Sequence, residues 1–187
     1  MSNHIKKIAL KTVEERLGLE LNRNLISLGW DVAGHETGIA LMRTTDSYLI
    51  LERTHKIKVP KKITEMDTID LFIEQLDSFK NEISQQYKLD KNIIENCFFG
   101  RNVNTLKLLA RCGILVYDRF RGLSKTSELI MPMSSRSKVG FKKSHKNIKG
   151  LKLKKEVVNF INNLLEIDIK DNDICDAIVL ALNGFIK

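Results

Sequence analysis

Residues 27–41 read SLGWDVAGHETGIAL: an apolar run that stops on an acid, turns through glycines and resumes as a second apolar run. The pattern predicts a strand ending at Asp31, a turn carrying Gly34 and Gly38, and a second strand. Asp31 is out of character for a strand end. A carboxylate there costs strand propensity and lies close to the core, so it needs a compensating partner. Capping of its own turn is one account of it; a role in chemistry is the other. Downstream, SYLILERTHKI (residues 47–57) reads as a third strand, which makes an early antiparallel meander. Upstream, residues 5–22 place Ile5, Ile8, Ala9, Val13 and Leu17 at roughly helical spacing, predicting an amphipathic N-terminal helix ahead of the main domain.

After Pro60, a stripe of Ile69, Leu71, Phe72, Leu76, Phe79 and Ile83 predicts a long helix over about residues 65–87, with Thr64 and Asp67 as its start signal. KNIIENCFFG (91–100) then gives a short apolar strand ending on Glu95, a second carboxylate where an apolar residue is expected. VNTLKLLARCG (103–113) has helical character with a glycine stop, and ILVYDRF (114–120) reads as a further strand. Strands alternating with helices suggest parallel members joined by crossovers. Near the end, DICDAIVLALNGF (173–185) is a helix with a core-facing side. Asp173 and Asp176 stand one turn apart near its start. Acids there compensate the helix dipole, but Asp176 is flanked by apolar residues and borders the buried stripe.

The 187 residues suit one domain with a short extension: residues 1–22 as an N-terminal helical extension and 23–187 as the main domain. Lys and Arg number 31 against 23 acids, a net charge of +8 that favours a polyanionic partner. Much of it gathers in residues 136–155, which hold nine Lys or Arg and no acid. No apolar run is long enough to span a membrane, and none forms a secretory signal core. Cys97, Cys112 and Cys175 match neither a disulfide framework nor a zinc pattern. A reduced cytoplasmic protein, or one of the host cytoplasm if phage-encoded, is the expectation.

Asp31, Glu95, Asp173 and Asp176 come from two strand ends and a terminal helix, so they converge only in a folded α/β domain. Convergent carboxylates repel unless a cation neutralises them. Hard oxygen donors suit Mg²⁺ or Mn²⁺, and a pair of such ions serves phosphoryl chemistry.

These blocks resemble the RuvC-type Holliday junction resolvases of the ribonuclease-H-like superfamily. SLGWDVAGHETGIAL, IIENCFFGRNVNTLKLLARCG and DNDICDAIVLAL fall in the family's order across roughly residues 24–187. The resemblance implies a ribonuclease-H-like α/β fold, with an antiparallel meander plus parallel strands flanked by helices. It makes Asp31, Glu95, Asp173 and Asp176 the catalytic, metal-binding set, for Mg²⁺ or Mn²⁺ with two ions per site. It matches Phe98 to an aromatic that presses on junction bases and gives Arg101 and Lys107 as backbone contacts. It also places Leu106, Leu108 and Leu109 on a dimerising helix. Val32 and Ala33 depart from the family pattern, and residues 1–22 have no counterpart in its compact bacterial members.

The implied activity is paired, symmetric nicking of four-way DNA junctions by a homodimer. The basic run, through Arg136, Lys138, Lys142, Lys143 and Lys146, would grip phosphates. His35 is a turn residue or phosphate contact, and His145 a surface donor. The rivals are a related nuclease acting on RNA or other branched DNA, a non-catalytic junction-binding protein, and a general basic scaffold.

Overall fold

The computed structural model describes residues 6–96, 103–142 and 148–187. Its six strands are β1 (Lys6–Ala9), β2 (Ile26–Asp31), β3 (Glu36–Thr44), β4 (Tyr48–Lys58), β5 (Leu89–Glu95) and β6 (Ser124–Ile130). They form one sheet in the order β1-β4-β3-β2-β5-β6. The β2–β3–β4 meander is antiparallel, as the alternation and turns predicted, whereas β5 and β6 run parallel to β2.

Helices cover both faces. On one lie α1 (Leu10–Leu17), α5 (Leu151–Leu165) and α6 (Asn172–Asn183), packed around Val13, Leu49, Ile161 and Ile178. On the other lie α2 (Glu65–Gln86) and α3 (Val103–Phe120), packed around Trp30, Phe72, Phe79 and Phe120. A short α4 (Pro132–Lys138) follows β6. Among the described residues no helix is long and apolar enough to cross a membrane.

Two glycines set how closely α6 approaches the sheet. A Cβ on Gly29 would fall 2.2 Å from the Ala177 carbonyl oxygen, and one on Gly38 would fall 2.2 Å from that of Asp173. Neither glycine has the left-handed backbone that turns demand. They are glycines because a helix rests on them.

Three segments differ from the sequence expectation. The N-terminal segment opens as a strand: β1 pairs with β4, Ile8 opposite Leu49, and only residues 10–17 are helical before the left-handed Gly18. Spacing alone missed this because Ile8 suits either period. Gly113 does not stop α3, and ILVYDRF is helix rather than strand. Cys112, Val116 and Phe120 recur every fourth residue and are fully buried, which offsets the roughly 1 kcal/mol that an interior glycine costs. The strand falls instead at SKTSELI, a polar edge strand with little apolar signal. Finally, the second half of the lysine-rich run enters α5, whose buried stripe of Val157, Ile161, Leu164 and Leu165 lies beyond the lysines.

Candidate metal centre

The central parallel pair brings the first two acids together. Trp30 pairs with Ile94 in the ladder, so Asp31 and Glu95 end adjacent strands at the same edge of the sheet. Their carboxyls interact directly, and each is pushed toward its protonated form. Burial is the main reason that Asp31 is held well above the ordinary carboxylate range, followed by the charges of Glu95 and Asp176. Burial likewise pushes Glu95 up to about 7.

The other two acids arrive on α6. Asp171 caps the helix, accepting from the backbone N–H groups of Asp173 and Ile174. The Gly38 contact then presses the first turn against β3, opposite Asp31 in the β2–β3 ladder. Asp173 and Asp176 thereby sit near enough to raise the Asp31 carboxyl. The other three acids expected from the sequence all act on Asp31.

Each of the helix acids is met by a cation of the chain. Arg136 donates to Asp176 Oδ1 from Nε at 3.1 Å and Nη2 at 2.8 Å, and the two side chains are only 15% and 6% exposed. Asp173 Oδ1 accepts from Lys154 Nζ at 3.2 Å and Asn172 Nδ2 at 2.5 Å. Its Oδ2 takes Lys56 Nζ at 2.9 Å. Lys56 also reaches Asp171 at 2.8 Å and Glu36 at 2.7 Å. Burial opposes the charge on Lys56, but these three carboxylate bonds outweigh it and hold the ammonium above its ordinary range.

A group of hard oxygen donors under mutual repulsion fits a divalent cation in its chemistry. Yet among the described residues no three His, Cys, Asp or Glu side chains are arranged to hold a metal ion. Positive charge at the helix acids is supplied instead by Arg136, Lys56 and Lys154.

The remaining sequence-predicted residues are dispersed. Arg136, expected on phosphate, turns inward to Asp176. Lys107 is exposed on α3, and Lys142 is exposed after α4. Lys138 borders a cleft with Lys91 and Asn183, toward the start of β5 rather than its end at Glu95. Leu108, expected at an interface, packs against Gly34 and the core, while Leu109 lines a groove with Ile114 and Leu129 beside Glu95. The His35 carbonyl accepts from Val59 N–H, a turn role, and the His35 Nδ1 is buried without a partner among the described residues. Phe98, Arg101, Lys143, His145 and Lys146 lie outside the described residues.

Sequence reasoning missed Lys56, Lys154 and Asp171. Lys56 lies opposite Gly38, which lies opposite Asp31, so the three form one row across the sheet. Only the strand register exposes that row.

The strand order, the acids at the ends of β2 and β5, and the covering α6 decide the architecture. The fold is ribonuclease-H-like. Its likeness to solved structures agrees. Thermus thermophilus RuvC in complex with a Holliday junction substrate superposes with a TM-score of 0.65 at 12% identity, over 85% of this chain and 92% of that one. A second Thermus thermophilus RuvC structure gives 0.64 at 13%, with the same coverage. The yeast mitochondrial Holliday junction resolvase gives 0.55 at 10%, over 92% of this chain and 84% of its own. The sequence matches no protein-family model and no curated protein. The ribonuclease-H-like fold is therefore shared with resolvases at very low sequence identity.

Proposed function

We propose that the chain is a metal-dependent endodeoxyribonuclease that resolves four-way DNA junctions by paired, symmetric nicks. What supports this reading is that Asp31 and Glu95 end adjacent parallel strands while Asp173 and Asp176, on α6, lie near enough to raise the Asp31 carboxyl. Divalent ions bound to these acids would activate a water and stabilise the leaving oxygen of an in-line displacement. Asp31 and Glu95 would give up the protons that burial favours in order to bind them. Arg136 and Lys154, released from the helix acids, would remain within reach of the substrate phosphates, where positive charge favours the transition state.

A homodimer would set two such sites on opposite strands. Support for it comes from the groove beside Glu95, where Ile114 on α3 and Leu129 on β6 are 66% and 47% exposed. Lys107 and Lys142 would contribute phosphate contacts that give affinity without sequence information.

The test is cleavage of an end-labelled mobile four-way junction beside linear duplex, single-stranded DNA and RNA hairpins, each with Mg²⁺, Mn²⁺ or chelator. Symmetric, metal-dependent nicks confined to the junction are expected. Cutting of RNA or linear DNA instead would retain the carboxylate chemistry and sink the junction assignment. A second reading, a junction-binding protein without catalysis, is favoured by the pairing of Arg136 with Asp176. Tight binding with no cutting under any metal is its signature.

A further inference from the structure

Between α5 and the segment leading into α6 lies a cleft of about 390 Å³, within the ~300–1,000 Å³ range of ligand sites. Lys152, Lys154 and Lys155 line it from α5, and Lys170 from the other side, with Asn159 and Asn172 between them. Among the described residues no carboxylate lines it. Lys154 and Asn172 both donate to Asp173, so the cleft opens directly onto the acid cluster. Lys152, Lys155 and Lys170 are exposed, and the positive end of the α5 dipole adds to their field. Lys154 is held by Asp173, and Lys170 lies 3.9 Å from the exposed Asp168, but no described carboxylate enters the cleft itself. Ammonium groups crowded in this way favour a polyanion that brings several phosphates at once.

The cleft is more than a charged surface. Leu151, 79% exposed, and Val158 give it an apolar wall. A large exposed apolar side chain among lysines is wasted on a duplex, which presents only phosphates and sugars outside its grooves. It suits an unpaired nucleotide, whose base and sugar need cover while its phosphates need cations.

We propose that this cleft holds one strand of nucleic acid as it leaves the carboxylate cluster, seating the unpaired nucleotide next to the cut. The proposal rests on the nuclease reading and deepens it. Lys152, Lys155 and Lys170 neutralise the phosphates flanking the scissile one. Leu151 covers the nucleotide between them, and Lys154 joins the cleft to Asp173.

The experiment uses the full chain carrying Asp31→Asn, so that binding is read without cleavage. Fluorescence anisotropy follows a four-way junction and an oligothymidine, each over a salt series, with a linear duplex as the paired control. Adding Lys152→Gln, Lys155→Gln and Lys170→Gln is expected to weaken both on the order of 10-fold or more. The salt slope should fall by about one for each phosphate no longer neutralised. Leu151→Ser alone should weaken the oligothymidine several-fold and leave binding of a linear duplex unchanged. These are surface side chains, and unchanged thermal unfolding of the variants establishes that they fold. Parental affinity and slope in the triple variant would overturn the cleft assignment while leaving the nuclease reading standing. Failure of the parent to bind any nucleic acid would overturn both.

Discussion

The backbone of Gly38 meets the Asp173 carbonyl so closely that a single methyl group on Gly38 would lie 2.2 Å from its oxygen. The contact is backbone against backbone, so no side-chain rotation relieves it. Gly38→Ala must push the start of α6 away from β3. Overpacking of this kind costs about 1–3 kcal/mol. For a chain of this size that is roughly 2–4 °C of Tm per kcal/mol. Thermal unfolding of Gly38→Ala should show that loss, and cleavage should fall further than stability because Asp173 is carried off with the helix.

Asp31→Asn and Glu95→Gln should abolish cleavage while preserving junction binding. The acid pair also predicts a pH dependence in chelator. Unfolded Glu95 releases its proton near 4.5, and the folded protein holds it up to about 7. Between those values the folded state binds more protons, so its stability falls as pH rises. The shift corresponds to about 3 kcal/mol. Unfolding of Glu95→Gln across pH 4 to 8 should show a flatter profile than the parent; parallel profiles would exclude a proton held there.

Arg136 answers a buried acid. Removing one partner of such a pair typically costs about 3–5 kcal/mol, because the other charge stays buried and unpaired. Arg136→Gln should therefore lower Tm in chelator. Mg²⁺ or Mn²⁺ should restore more of that loss in the variant than it adds to the parent, a difference that calorimetry or a melting series reads directly.

Asp171→Ala should cost about 1 kcal/mol through removal of the helix cap. It also removes one partner of Lys56, whose other two carboxylates, on Glu36 and Asp173, remain. Chemical denaturation measures the sum, and Asp171→Asn, which keeps the cap, separates the two contributions.

Much of the site was legible in the sequence because misplaced residues are conspicuous. Asp31 and Glu95 each interrupt an apolar strand, and Asp176 borders the stripe of α6. The meander showed through its alternation and the turn between its first strands. What stayed hidden depends on the meeting of distant segments. Lys56 is inconspicuous in THKIK until the register sets it opposite Gly38. Arg136 reads as one of many surface cations until α4 folds it onto Asp176. Gly38 reads as a turn glycine, and Gly29 as an unremarked strand residue, until a helix lies across them. Edge strand β6 carried too few apolar residues to announce itself, while the apolar stripe of α3 was strong enough to run through Gly113.

The charges of the carboxylate cluster nearly cancel. The four acids are met by protons held on the Asp31 and Glu95 pair, by the Arg136 guanidinium and by the ammonium groups of Lys56 and Lys154, the first of these lysines shared with Asp171 and Glu36. A cluster in that condition behaves as an ion exchanger. A dication entering it displaces positive charge already present, either as a proton or as a side chain swung away. Metal affinity in such a site is set by what is expelled as much as by what is gained; on the proposed nuclease reading, the expelled charge would be delivered where a phosphate would arrive.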